Sequence, residues 1–142
     1  ETDLVCYRAD QPPELVRSQR AAWEPLLDWL AETYGARLAV TVGILPVSQP
    51  QEAVAALARA VADGDDWRLG ALQSAVASAG SLVVGLALIE GRIDVDQAAA
   101  AAEVDESFEI SRWGEDGAAA ARRSRVGADL AAARQFRDLL DG

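Results

Sequence analysis

Residues 82–89 read Leu-Val-Val-Gly-Leu-Ala-Leu-Ile and form the longest apolar run in the chain. Upstream, Asp65 and Asp66 are placed to accept bonds from the free N–H groups at a helix start. We therefore predict one long helix over residues 65–89, in which the small residues 78–81 permit a close helix contact or a bend. Because this helix is apolar on nearly every side, we expect it to form the core, with the other helices packed around it.

Start and stop signals predict further helices on both sides of this core. Pro12 and Pro13 open the first, Gly35 closes it, and Pro25 predicts a kink or two abutting helices within it. Two capping pairs predict helix starts at Ser48 with Gln51 and at Asp94 with Gln97. The predicted ranges are 13–35, 50–62, 94–113 and 115–140, the last with Arg122, Arg123 and Arg125 on its polar side as partners for nearby acids.

One segment has the alternating pattern of a strand. Residues 37–44 carry Leu38, Val40 and Val42 at every second position, and so short a strand needs support from the helices or from a domain upstream. Residues 1–11 are expected to form an extended lead-in that tucks Leu4, Val5 and Tyr7 against the body. The predicted fold is mainly α, a helical bundle around one long apolar helix with one short strand or extended lead-in, and residues 1–142 form one domain.

The composition disfavours most enzyme classes. All 13 basic residues are Arg, 23 residues are acidic, the net charge is -10, and Lys, His and Met are absent. Without His or Lys the chain lacks the commonest general base, the commonest metal ligand and the usual phosphate-binding ammonium. We expect no enzymatic activity, no cofactor, no metal and no small-molecule substrate. The excess of acid disfavours nucleic acid and anionic lipid, and the apolar run is too short for membrane insertion.

Other possible reactive groups have simpler structural explanations. Cys6 is the single cysteine, and a lone thiol without His is more often an inert small hydrophobe, which agrees with a reducing compartment. The three acids at positions 63, 65 and 66 lack the spacing of a calcium loop and are better explained as helix caps. Glu106 and Glu109 lie one helical turn apart, but helical di-metal sites pair Glu with a His that this chain lacks. Their acidic face either is simply solvated or binds a protein.

Residues 104–116 combine acids with large apolar side chains and supply the candidate contact residues. They read Val-Asp-Glu-Ser-Phe-Glu-Ile-Ser-Arg-Trp-Gly-Glu-Asp. Trp and Arg are favoured interface anchors, so Arg112 and Trp113 fit an interface centre rimmed by charges. Trp113 also fits a core residue that seals a helix end, and periodicity does not separate the two. The candidate partner-binding residues are Glu106, Glu109, Arg112, Trp113 and Asp105.

Several motifs in this order resemble the Atp-twelve family of assembly chaperones for the catalytic head of F-type ATP synthases. They are Asp3-Leu4-Val5-Cys6-Tyr7-Arg8, Gln19 with Trp23-Glu24-Pro25, residues 43–49, Ser78-Ala79-Gly80-Ser81 with Leu86-Ala87-Leu88, and Val104-Asp105-Glu106 through Trp113-Gly114. The resemblance implies a non-catalytic chaperone that binds the unassembled α subunit and shields its assembly surface until the α/β ring forms. By motif, Glu106 matches the acidic position that the family uses functionally. The family usually has Gln where this chain has Glu109.

The resemblance also bears on domain organisation and location. The family has a smaller β-rich N-terminal domain followed by a helical one, and this chain looks like the helical domain alone. It begins at Glu1 and lacks Met, so we expect it to be a piece of a longer protein. The Arg-only, Ala-rich usage indicates a GC-rich bacterial genome, hence the bacterial cytoplasm, with the mitochondrial matrix as the alternative. A generic acidic helical adaptor for another basic protein is the second functional hypothesis, and a carboxylate-dependent hydrolase or metal enzyme is the third.

Overall fold

Seven α-helices make up most of the chain in the computed structural model, which describes residues 3–43 and 47–141. They are α1 Pro13–Tyr34, α2 Gln51–Ala62, α3 Asp66–Ala79, α4 Leu82–Ile89, α5 Val95–Ala102, α6 Val104–Trp113 and α7 Gly117–Asp141. A 3-10 turn, Leu4–Cys6, precedes a two-stranded sheet formed by β1 Tyr7–Arg8 and β2 Thr41–Val42. The mainly α class predicted from the sequence is confirmed.

Helix α4 lies at the centre of the core. Its seven residues 83–89 are all buried, and α3, α5, α1 and α7 pack around it. The predicted central position of this segment is therefore correct, but the prediction of one continuous helix is wrong. Gly80 adopts a left-handed conformation, with φ 69°, and ends α3. Ser81 then begins α4, because its hydroxyl oxygen accepts the N–H of Val84 at 3.1 Å.

The N-terminal lead-in supports the start of α4 through one carboxylate. Asp3 accepts the hydroxyl of Ser81 at 2.7 Å through Oδ1 and the N–H of Val83 at 3.2 Å through Oδ2. Val5 and Cys6 follow in the 3-10 turn and are fully buried. Because an acid at a helix start satisfies free N–H groups, the lead-in both fills the core and caps its central helix.

The strand prediction is wrong in extent and in partner. Within the described residues, β2 has only two residues, and it pairs in parallel with β1, so that Tyr7 lies opposite Thr41. The predicted end of the strand, Ile44, lies outside the described residues. Residue 39 is not paired to a strand because the side-chain amide of Gln49 bonds both its N–H, at 2.7 Å, and its carbonyl, at 3.0 Å.

The capping predictions have mixed outcomes. Asp94 and Gln97 form the predicted capping box, with bonds of 2.8 and 2.9 Å, and Asp65 accepts the N–H of Arg68 at 2.9 Å. The box predicted at Ser48 is wrong, because α2 begins after Pro50 without a side-chain cap. Pro25 does not divide the helix into two elements, because α1 is one continuous helix across it. Pro25 is exposed, as is Ala21, whose carbonyl loses its helical partner.

We predict that Gly85→Ala lowers the free energy of unfolding by about 1–3 kcal/mol. A Cβ added at Gly85 would lie 2.8 Å from Val76 Cγ2 and 3.0 Å from the Val76 backbone nitrogen, because α3 and α4 approach closely there. Gly70→Ala is the matched control, since a Cβ there meets nothing within 4 Å in the middle of α3. It should raise stability by about 0.5–1 kcal/mol. Urea denaturation measures both, and equal effects of the two substitutions would contradict the close packing.

Candidate partner-binding surface

Helix α6 is held at the edge of the core by its first turn. Val104 is its buried residue, and the rest of the helix is half-buried or exposed. The preceding helix is fixed by Trp23, a fully buried side chain whose Nε1 donates to the carbonyl of Ala101 at 2.8 Å. At its other end α6 stops at Gly114, as predicted, and Asp116 Oδ1 then accepts the N–H of Ala119 at 2.6 Å in the first turn of α7.

Trp113 is exposed rather than buried. Its exposed fraction is 85%, the largest among the large apolar side chains of residues 3–43 and 47–140. Its interpretation as a core residue that seals the helix end is therefore wrong, and its interpretation as an interface residue stays a prediction. An exposed indole gains much when a partner removes it from water, because it carries a large apolar area.

Glu106 is paired instead of being presented freely to solvent. One carboxylate oxygen accepts Arg122 Nη2 from α7 at 2.6 Å, and about a quarter of the Glu106 side chain is exposed. The arginine side of this pair is more than half exposed. Surface pairs of this kind contribute roughly 0–1 kcal/mol, so a basic group of a partner could replace Arg122 at little cost.

The remaining candidate residues divide between structural contacts and free surface. Asp105 accepts the side chain of Gln19 at 2.6 Å, and Gln19, itself buried, accepts the N–H of Ala9 at 2.8 Å. Asp105 therefore secures the lead-in rather than capping α6. Glu109 is exposed and has no bonded partner among the described residues.

The structure places three of the five candidate residues on one side of α6. Glu106, Glu109 and Trp113 follow the i, i+3, i+7 spacing of a shared helix face. Asp105 and Arg112 are one heptad apart and lie on an adjoining side, where the Arg112 guanidinium carbon lies 5.1 Å from the centre of the Phe108 ring. We call the five residues Asp105, Glu106, Glu109, Arg112 and Trp113 the α6 surface.

Arg123 of α7 ties α6 to its neighbours. Its guanidinium donates to Glu103 at 2.9 Å, to Glu115 at 3.1 Å and to the hydroxyl of Ser107 at 3.2 Å. The bond to Glu103 raises the pKa of Arg123 above its ordinary value, despite the opposing effect of burial. The predicted pairing of the α7 arginines with nearby acids is confirmed for Arg122 and Arg123. The role of Glu103 was missed, because no sequence pattern distinguishes it from the exposed acids that follow it.

A second exposed apolar area lies where the start of α3 meets the end of α7, and no sequence pattern predicts that its members meet. Trp67 is 64% exposed and contacts Phe136 edge-on, with ring centres 6.2 Å apart. Leu139 and Leu140 continue the exposed apolar side of α7. A groove of about 730 Å³ lies beside Trp67, with small residues such as Gly70 along its wall. We call it the α3–α7 groove; like the α6 surface, it presents an exposed tryptophan, so it can serve as a control surface in binding experiments.

Two observations concern metal-binding side chains and the single cysteine. No group of three or more metal-binding side chains occurs among residues 3–43 and 47–140. Cys6 is fully buried, and burial followed by the nearby charge of Asp3 raises the pKa of its thiol to about 11. The thiol is therefore protonated near neutral pH, as expected for an inert core residue. Within the described part of the chain, no helix combines the length and apolarity needed to cross a bilayer.

Comparisons with known proteins give a consistent set of relatives. The crystal structure of Atp12 from Paracoccus denitrificans matches with a TM-score of 0.93 and 42% identity, over 96% of this chain and 59% of that one. The Atu1473 protein, a candidate chaperone from Agrobacterium tumefaciens, matches with a TM-score of 0.89 and 37% identity, over 97% of this chain and 52% of that one. No model of a protein family matches the sequence.

A curated relative lies further away in sequence. The mitochondrial protein atp12 of Schizosaccharomyces pombe is 24% identical over 104 residues, which are 71% of this chain and 36% of that protein. This chain thus spans between 36% and 59% of the length of these three relatives.

We predict that folding stability falls as the pH rises from about 9 to about 11, in part because of Cys6. The unfolded thiol loses its proton near its ordinary pKa of 9.0, whereas the folded thiol keeps it until about 11. The folded state therefore loses relative stability across this window. Cys6→Ala should reduce the pH slope there, leaving the contribution of Tyr34, whose pKa burial also raises. Urea denaturation over this pH range measures the slope, and an unchanged slope in Cys6→Ala would contradict the burial of a protonated thiol.

Proposed function

Because this chain belongs to the Atp-twelve (Atp12) family, we propose that it acts as an assembly chaperone for F-type ATP synthase and catalyses no reaction. The observation that carries this proposal is the match to Paracoccus Atp12, at 42% identity over 96% of the chain. Since the chain spans only part of its relatives, we assign it the role of their helical domain. The β-rich N-terminal domain of the family belongs, in this proposal, to the remaining part of such proteins.

The client in this proposal is the unassembled α subunit of the synthase. Ring subunits that await assembly expose apolar interfaces together with basic groups, and both would favour association with the wrong partners. The α6 surface has the matching chemistry, because the indole of Trp113 is 85% exposed and carboxylates lie beside it. Trp113 would cover apolar client surface while Glu106 and Glu109 meet basic groups at the rim.

Charge complementarity supports fast capture and permits release. The chain carries a net charge of -10, which steers a basic client surface toward it at low ionic strength. The Glu106–Arg122 ion pair is weak, and opening it leaves no fully buried charge without a partner. A competing β subunit with a larger apolar interface can then displace the chaperone when the ring forms.

The proposed compartment is the bacterial cytoplasm, with the mitochondrial matrix as the alternative. The two bacterial relatives are 42% and 37% identical to this chain, whereas the fission-yeast mitochondrial protein is 24% identical. This order supports the bacterial assignment.

We predict that Trp113→Ser and Glu106→Lys each weaken binding to isolated α subunit by about tenfold or more, as expected for an interface anchor and for a reversed rim charge. Titration calorimetry at low and moderate salt measures the affinity, and circular dichroism checks that helicity is unchanged. Trp67→Ser is the matched control, because it removes an exposed indole from the α3–α7 groove, and it should leave the affinity unchanged.

In the same titration, Arg122→Ala tests whether Glu106 contacts the client directly or acts only through its ion pair with Arg122. It removes the ion-pair partner of Glu106 but leaves the carboxylate, so binding should be unchanged or stronger. Equal weakening by Arg122→Ala and Glu106→Lys would show that Glu106 acts only through its pair. Weakening by Trp67→Ser alone would move the client site to the α3–α7 groove. Binding of other basic proteins but not of the α subunit would favour the generic adaptor.

A further inference from the structure

A groove of about 880 Å³ runs between α1, α5 and α6, on a different side of α6 from Glu106 and Trp113. Glu14 and Asp96 line it from the starts of α1 and α5. Ala99 and Ala100 supply small side chains on α5, and Phe108 supplies an aromatic wall on α6. The lining of the groove therefore combines small apolar side chains and one aromatic ring with acidic side chains.

Glu103 also lines this groove and carries an unsatisfied acceptor. Its side chain is nine-tenths buried, and Oε2 accepts Arg123 Nε at 2.9 Å. Its other oxygen, Oε1, is buried and has no hydrogen-bond partner among the described residues. Buried polar atoms almost always have a hydrogen-bond partner, because burial removes water and an unpaired atom then loses that bond without replacement. A ligand in the groove that donates to Oε1, once the carboxylate turns this atom toward the groove, would recover this lost interaction.

The balance of charge indicates that the donor is a cation. Arg123 is already paired with two carboxylates, those of Glu103 and Glu115. Glu14 and Asp96 form no ion pair among the described residues, whereas Arg112 is the one remaining basic side chain in the lining. The two free acids outnumber this arginine, so the groove attracts positive charge. A charged donor also makes the stronger bond to a carboxylate.

The shape of the groove selects among cations. A long aliphatic stem can lie over Ala99 and Ala100, and a planar head group can stack on an aromatic wall. Phe108 already has the guanidinium of Arg112 over its ring, at 5.1 Å, and an incoming planar cation would replace this exposed arginine there. We propose that the groove binds an arginine side chain of the client protein, whose guanidinium donates to Glu103 Oε1. The protein source of that arginine rests on the proposed function, since a free guanidinium compound has the same chemistry.

The first test uses a small probe in place of a protein. N-acetyl-arginine-N-methylamide is titrated into the isotope-labelled chain and followed by NMR, with the citrulline analogue as its neutral match. We expect the arginine probe to shift the amides of Ala99, Ala100 and Ser107, with an affinity about tenfold higher than that of the citrulline probe. Equal affinities, or shifts confined to other helices, would overturn the proposal.

Two pairs of variants locate the probe. Ala100→Leu adds bulk to the lining of the groove without changing its charge. Because Ala100 is exposed, the fold should be retained, and Ala58→Leu, at an exposed position on α2, is its control. Glu103→Gln removes the accepting charge, and Glu90→Gln, which loses a pair with Arg68 outside the groove, is its control. Each groove variant should weaken the arginine probe about tenfold, and neither control should. Retained binding in Ala100→Leu contradicts the site even if Glu103→Gln does not fold.

The second test identifies the source of the arginine. Ala100→Leu should weaken binding to isolated α subunit about tenfold, whereas Ala58→Leu should not. If Ala100→Leu loses the probe but binds the α subunit like the wild type, the client is excluded as the source. If the wild-type chain does not bind the α subunit at all, the proposed function fails, and the arginine probe alone decides whether the groove is a guanidinium site.

Discussion

Complete burial of residues 83–89 is the constraint on which the rest of the structure depends. A helix that is apolar on every side needs cover from every direction, and α3, α7, α5 and α1 provide it. The cover is close enough that position 85 has no room for a side chain beyond hydrogen. Asp3 and Ser81 accept two of the free N–H groups at the start of this helix, those of Val83 and Val84.

Helix α6 has a different role because it contributes so little to this core. Only Val104 is buried, and the helix is held in place at its edges by Gln19, Arg122 and Arg123. Its stability therefore does not require its other side chains to face inward. One side presents Trp113 with two acids, and another closes a groove that contains an unsatisfied carboxylate oxygen. Both features cost free energy in the isolated chain, and a partner that covered them would relieve that cost.

Local rules predicted the parts of the fold that depend on neighbouring residues. The Asp94–Gln97 capping box, the cap at Asp65 and the burial of residues 83–89 all follow from signals a few positions apart. The segment predicted as one long helix forms two helices, because Gly80 takes a left-handed conformation. The apolar pattern on either side of Gly80 does not reveal this. The strand was misjudged because Gln49, ten residues away, takes over the bonds of residue 39.

Local sequence rules predicted less of the candidate site than of the fold. Periodicity placed Trp113 on a helix but could not decide between core and surface, since that depends on which elements pack beside the end of α6. The sequence does not predict that Glu103 and Phe108 line a groove, because this depends on how α1 and α5 pack against α6. Charge alone did anticipate that Arg122 and Arg123 would pair with acids, because 23 acidic residues outnumber the 13 arginines of this chain.

Amide hydrogen exchange of the chain with and without isolated α subunit tests most directly whether α6 faces the client. If it does, binding should slow exchange across residues 104–116 and leave residues 66–74 and 132–140, beside Trp67 and Phe136, unchanged. Protection confined to those two segments, with α6 exchanging as in the free chain, would show that the client binds the α3–α7 groove instead.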